Sequence, residues 1–281
     1  MSDPPSHPVD LHTHSNASDG ILAPAALIAY AAERGVRVLG LTDHDTVSGI
    51  AEATAAGTDH HVEVIPGVEL STQVDGREVH ILGYLVDPDD TALLARLAEL
   101  AGRRRIRIER IVARLGEIGV PVSLARVFEL AEQGSVGRPH VARALIEHGY
   151  VADVSEAFDR YLAMGRPGYV PRDPFPPEEA VSLVLNAGGA PVLAHPGTTG
   201  DIEGTIERLL PAGLLGLEVY YGEYDDETRH RLRDTAERHG LIPTGGSDFH
   251  APAFKPGRDI GRAPVPEETV ARLRDATGRR P

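Results

Sequence analysis

Nine side chains able to ligate a metal stand in or beside short apolar, strand-like runs: His12, His14, Asp19, His44, Glu69, His80, His195, Asp248 and His250. The first run is Asp10-Leu11-His12-Thr13-His14 and the last is Gly246-Ser247-Asp248-Phe249-His250. Any one fragment is weak, because a lone His-x-His pair often faces solvent. Repetition at one local position, the end of a strand, points to a single polynuclear metal centre and so to a hydrolase.

Imidazole and carboxylate donors without thiolate suit Mn²⁺, Fe²⁺ or Zn²⁺. Nine ligands exceed the needs of one ion. Three divalent ions, manganese being the first choice, would use them all if one carboxylate bridges. Such a cluster makes hydroxide from bound water near neutral pH and neutralises charge on a phosphoryl group. Metal-bound hydroxide is therefore the expected nucleophile, and no side chain is assigned to attack phosphorus. Asp43 and Asp45 flank His44. They are expected to accept the spare N–H of metal-bound imidazoles. His80 lies inside a hairpin arm and is the histidine ligand most easily read as an ordinary core residue.

A second motif suits anions. Gly137-Arg138-Pro139-His140 places proline at a favoured first helical position. A helix N-terminus, a guanidinium fork and an imidazole together bind phosphate well. Arg138 and His140 are thus candidate substrate-phosphate contacts, with Arg172 a weaker third. The alternative is a surface turn with a solvent-facing arginine.

These residues need elements to bring them together. Apolar runs over Val9–Leu11, Val36–Leu41, Val62–Val68, Pro191–Ala194, Leu215–Tyr220 and Leu241–Thr244 read as strands. Asp75-Gly76 marks a hairpin between residues 70–74 and 78–86. Helices are expected over Pro24–Arg34, Ser48–Ala56, Pro177–Ala187, Ile202–Ala212, Asp225–His239 and Pro266–Ala276. Strand–helix alternation implies a parallel sheet, open or closed. In a barrel the strand C-termini form one ring, where active sites collect. Residues 91–165 break the alternation. Thr91–Glu117, Leu124–Gln133, Pro139–His148 and Ser155–Met164 read as consecutive helices, and Leu93, Leu94, Leu97, Leu100, Ile108, Ile111 and Leu115 share a face of the first. The expected division is an α/β barrel from 1–90 and 166–281, carrying a helical cap from 91–165.

Composition narrows the partners. The chain has 281 residues, a formal net charge of −14 and no cysteine, which excludes disulfides and a thiolate nucleophile. Strong acidity argues against a duplex-binding surface. Lys255 is the only lysine, so nearly all positive charge is arginine. No run approaches the ~20 apolar residues of a membrane span. The first residues do not read as a signal peptide, and the expected location is the cytoplasm.

The segments DLHTHS (10–15), LTDHDT (41–46), PGVE (66–69), EVHILGY (78–84), AHPG (194–197) and GGSDFH (245–250) resemble the PHP (polymerase and histidinol phosphatase) superfamily. Gly137–His140, Tyr161-Leu162 and Gly168–Pro171 are similar to its branch of 3′,5′-nucleotide bisphosphate phosphatases and 5′-to-3′ exoribonucleases. The resemblance implies a distorted (β/α)₇ PHP barrel with a helical cap and a trinuclear site. It implies one ion on His12, His14, Glu69 and Asp248, a second on Glu69, His80 and His195, and a third on Asp19, His44 and His250. The activity it implies is release of the 3′-phosphate from nucleoside 3′,5′-bisphosphates, or trimming of short single-stranded RNA from its 5′ end. A histidinol-phosphate phosphatase fits less well because of the cap. A non-catalytic scaffold has no use for nine costly ligands. Tyr150, Phe158, Tyr161 and Tyr169 are the cap aromatics available to stack on a base.

Overall fold

The computed structural model describes residues 7–131, 134–252 and 256–278. Seven strands form one sheet in sequence order: β1 (Val9–Thr13), β2 (Val38–Leu41), β3 (Glu63–Val74), β4 (Arg77–Tyr84), β5 (Ala190–Leu193), β6 (Gly216–Tyr221) and β7 (Ile242–Gly246). The sheet nearly closes into a barrel. Asp248 N donates to His12 O (2.8 Å) and His14 N to Phe249 O (2.9 Å), tying the end of β7 to β1. Gly246 permits that approach, since a Cβ there would lie 2.3 Å from the His12 nitrogen.

The helices are α1 (Pro24–Glu33), α2 (Ile50–His60), α3 (Thr91–Glu117), α4 (Leu124–Leu130), α5 (Arg138–Glu147), α6 (Val154–Ala157), α7 (Pro177–Asn186), α8 (Ile202–Leu209), α9 (Asp226–Arg238) and α10 (Glu268–Thr277). Local chemistry sets their ends. Pro24 opens α1, and Gly35 at φ 77° follows its close. Asp90 caps α3 by accepting from Leu93 N at 2.8 Å.

The expected hairpin interrupts the otherwise parallel sheet. The β3–β4 and β4–β5 ladders are antiparallel. The two-residue Asp75-Gly76 turn leaves β4 no other direction, with Asp75 at φ 49° and Gly76 at φ 80°. β3 also runs unbroken for 12 residues, so Glu69 sits within a strand rather than at its end, while His80 lies inside its hairpin arm as expected. Successive residues of a strand face opposite ways. Val68, Leu70, Val79 and Ile81 therefore join the core against the helices, and Glu69, Ser71, Glu78 and His80 take the other face.

The α3 helix spans two cores. Leu93, Leu97 and Leu100 pack with the barrel's helical layer. Ile108, Ile111 and Leu115 pack with Val127, Val141, Leu145 and Leu162 of the cap. Leu94 turns outward and is 41% exposed, contrary to the helix face expected for it. The helix expected over 155–164 ends in a π-turn, Phe158–Leu162. The one expected over 124–133 stops at Leu130, and its last two residues lie outside the described set, as does Lys255.

Candidate metal centre

All nine expected ligands converge. The ligand atoms of His14, Asp19, His44 and His250 lie within 4.8 Å of one another. So do those of His12, His14 and Glu69, of His12, His195 and Asp248, and of His44, Glu69 and His80. They come from β1, β3, β4 and the loops after β1, β2, β5 and β7. Antiparallel β4 still contributes, because His80 stands directly opposite Ser71 in the β3–β4 register, two residues from Glu69 and on its face.

Glu69 is the hub. It is 1% exposed, and its Oε1 meets His80 Nδ1 at 2.8 Å and His195 Nε2 at 2.9 Å. Its Oε2 meets His44 Nδ1 at 3.1 Å and both His12 Nε2 and His14 Nε2 at 3.3 Å. Asp248 Oδ1 lies 3.1 Å from His14 Nε2, and Asp19 Oδ1 lies 3.2 Å from His250 Nε2. Three residues near the centre hold φ values that L side chains rarely adopt: Asp45 (51°), His195 (23°) and Asp248 (54°). Such strain persists where the surroundings enforce it, commonly at functional sites.

The donor chemistry fits cations. A carboxylate only accepts, so His12 Nδ1 donates to Glu218 Oε1 (2.8 Å), leaving the Nε2 lone pair facing the cluster. His250 Nδ1 donates to the Asp248 carbonyl at 2.9 Å, with the same result. Thr198 Oγ1 lies 3.1 Å from the His195 carbonyl and donates to it; the same oxygen receives His195 Nδ1 at 3.2 Å. His12 Nε2 and His14 Nε2 stand 3.1 Å apart. Among the described residues, buried His14 Nδ1, His44 Nδ1 and His80 Nε2 make no hydrogen bond of good geometry, although His44 Nδ1 lies 3.1 Å from Glu69 Oε2. The charge balance agrees. Burial opposes ionisation of Glu69, but His44, His80 and His12 outweigh it and hold the carboxyl well below its usual range. Burial likewise opposes a charged His12, yet Glu218, Glu69 and Asp248 raise it well above its usual value. The carboxylates therefore favour positive charge at the centre, which divalent ions could supply in place of imidazolium protons.

Glu218 was not among the expected site residues. It is wholly buried and reaches two ligands, since Oε2 also accepts His195 N at 2.6 Å. The available signal was a single acid inside the otherwise uncharged Gly216–Tyr221 run. We expect Glu218→Gln to weaken metal affinity about 10- to 100-fold, the usual effect of losing an acceptor behind a ligand. Chelator competition measures this, and an unchanged affinity would reduce Glu218 to a packing role.

Tyr221 and Arg258 were likewise missed. Tyr221 OH donates to Asp248 Oδ2 at 2.9 Å, and Arg258 Nη1 lies 3.1 Å from the same oxygen. Asp43 and Asp45 do not take the imidazole N–H groups expected of them. Asp43 receives Ser15 N, Ser15 Oγ and Ser18 Oγ at 2.8, 2.7 and 2.6 Å, which shapes the loop carrying Asp19. Asp45 receives Ser71 N and Arg104.

The Gly137–His140 motif forms the start of α5. Arg138 Nη2 and Arg172 Nε share the Glu78 carboxylate at 2.7 and 3.1 Å. Arg107 Nη2 is 3.9 Å from it. His140 is 1% exposed and its Nδ1 accepts Gly137 N at 3.0 Å. Burial pushes its pKa down to about 4, so at neutral pH it offers a phosphate no charge. Beside the centre a cleft of about 950 Å³ opens between barrel and cap, lined by Asp19, His250 and Arg258 on one side and Arg143, Ser155 and Phe158 on the other. Arg143, another residue that sequence reasoning missed, donates to the Asp19 carbonyl at 2.7 Å. Of the four cap aromatics, Phe158 alone lines this cleft.

Residues 10–166 match the model of a family described as the PHP domain. The chain is 38% identical over 258 residues to the 3′,5′-nucleoside bisphosphate phosphatase of Chromobacterium violaceum, covering 90% of each. It is 37% identical over 259 residues to the 5′-3′ exoribonuclease Rnm of Escherichia coli, covering 90% of this chain and 88% of that one. A solved structure from Bifidobacterium adolescentis, described as a metal-dependent phosphoesterase, superposes with a TM-score of 0.89 at 30% identity over 98% of both chains.

Proposed function

Because this chain belongs to the PHP domain family, we propose that it is a metal-dependent phosphoesterase releasing the 3′-phosphate of nucleoside 3′,5′-bisphosphates. The observation that carries this reading is the placement of Glu69 among five imidazoles, beside a cleft wide enough for a nucleotide. His12, His14, Glu69 and Asp248 would hold one ion, Glu69, His80 and His195 a second, and Asp19, His44 and His250 a third. Manganese suits this carboxylate-rich set, with iron or zinc the alternatives. Bound ions would supply a lowered pKa to coordinated water and neutralise charge on the phosphoryl oxygens.

The chain's own residues orient and bind. Glu218 fixes the rings of His12 and, through its backbone, His195. Tyr221 and Arg258 hold the far oxygen of Asp248, leaving Oδ1 toward His14. Arg138 and Arg172 are the seat for the second phosphate. Each can make charge-assisted hydrogen bonds in a fixed fork geometry. His140 serves that seat as a neutral imidazole that shapes the start of α5.

A second reading, 5′-to-3′ trimming of short RNA, draws on the size of the cleft and on Phe158 as a stacking platform. Rates of phosphate release from adenosine 3′,5′-bisphosphate and of nucleotide release from short 5′-phosphorylated RNA, both under Mn²⁺, separate the two. We expect the bisphosphate to be favoured about tenfold or more in kcat/KM, about 1.4 kcal/mol. The reverse order makes the exoribonuclease reading primary. Metal analysis of the same samples should give more than one equivalent per chain.

A further inference from the structure

Arg104 lies on α3, the helix shared by the barrel and cap cores, and is 8% exposed. Its guanidinium is spread over three partners. Nε donates to Asp45 Oδ2 at 2.6 Å, Nη2 to Ser71 Oγ at 2.7 Å, and Nη1 to the Val136 carbonyl at 3.4 Å. Each partner adjoins a working segment. Asp45 follows His44, Ser71 lies two residues beyond Glu69 on the same strand face, and Val136 precedes Gly137-Arg138. Asp45 is itself tied into β3, because its Oδ1 accepts Ser71 N at 2.8 Å and its N–H donates to the Glu69 carbonyl at 3.0 Å. It does this in a left-handed backbone conformation.

We propose that Arg104 is a positioning residue that makes the pose of His44 and Glu69 depend on the seating of the cap. The cap's phosphate motif and the metal ligands then form one rigid unit, and ion retention depends on a side chain that touches no ion. The inference rests on the metal-site reading above. A planar fork spanning three acceptors is a geometric clamp, which a point charge cannot reproduce. Its three partners come from different parts of the chain, so the clamp acts only when α3 is docked.

The test uses full-length Arg104→Met, Arg104→Lys and the double variant Asp45→Asn/Arg104→Met. Mn²⁺ affinity is read by chelator competition, and unfolding of the metal-free protein by calorimetry. Arg104→Met leaves Asp45 as an unpaired buried charge and is expected to lower Tm. The double variant removes that charge, and asparagine tolerates the left-handed backbone and still accepts Ser71 N. Its Tm should recover toward wild type while Mn²⁺ affinity stays about 10- to 100-fold weaker, as for other groups that orient a ligand. Arg104→Lys should fall between wild type and the double variant. Wild-type affinity in either Arg104→Lys or the double variant overturns the proposal, since charge balance alone would then account for Arg104. A wild-type protein that binds none of Mn²⁺, Fe²⁺ and Zn²⁺ removes the metal reading, and this proposal with it.

Discussion

Glu69→Gln is expected to lower kcat/KM on a nucleotide phosphate ester by about 10³-fold or more, about 4 kcal/mol of lost transition-state stabilisation. Among the described residues, no other side chain touches so many of the candidate ligands. Its two oxygens meet His12, His14, His44, His80 and His195 within 3.3 Å. Glutamine keeps the volume but replaces one charged oxygen with an NH₂ donor, aimed at nitrogens whose lone pairs should face ions. It also removes the negative charge that bridges two of the proposed ion positions. Metal content should therefore fall by at least one equivalent alongside the rate. The side chain is buried, so unfolding of the metal-free variant has to be measured as a control. A folded variant with full metal content and a rate within about tenfold of wild type would remove Glu69 from the centre.

Arg138→Ala is expected to act selectively. On a nucleoside 3′,5′-bisphosphate it should cost about 1.5–3 kcal/mol, the range for a hydrogen bond to a charged group, or about 10- to 150-fold in kcat/KM. On p-nitrophenyl phosphate, which has one phosphate, the loss should be much smaller. The physical basis is a local surplus of positive charge. Arg107, Arg138 and Arg172 surround one carboxylate. Burial would keep Glu78 neutral, but Arg138 and Arg172 hold it well below the usual carboxylate range. With Glu78 ionised, three guanidinium groups against one carboxylate leave charge to meet a second phosphate. Arg138 also supports the cap, donating to the Leu162 carbonyl at 3.3 Å and lying over the Phe158 ring. Equal losses on both substrates would assign it to that support alone.

The family and the fold class were legible from short segments, because the chemistry is local in the chain. A His-x-His after an apolar run, or Ser-Asp-Phe-His after paired glycines, carries both the donor types and the strand that aims them. The start of α1 at Pro24 and its stop at Gly35 were legible for the same reason. A proline or a glycine acts on backbone groups within a few residues of itself. The hairpin was legible too, but the direction of β5 against β4 was not. A two-residue turn reverses β4, and the cap then returns the chain to pair β5 antiparallel to it. Periodicity reports which way side chains alternate and says nothing about strand direction.

Tertiary structure decided the residues that act across the barrel. Glu218 orients a histidine 206 positions away, and one uncharacteristic acid in an apolar strand cannot announce its partner. Arg104 reads as one of three consecutive arginines on a long helix until docking sets it against Asp45. Asp45, expected beside an imidazole, holds a left-handed backbone and meets Ser71 and Arg104 instead. His140, expected to help bind phosphate, is buried with its Nδ1 accepting Gly137 N, and burial pushes its pKa down to about 4. Donor types and strand propensities are properties of a few neighbouring residues, so the candidate donors that converge in the fold could be listed from the sequence. Which carboxylate stands behind which ring, and which arginine meets which acid, depends on distances that arise only when segments remote in the chain pack together.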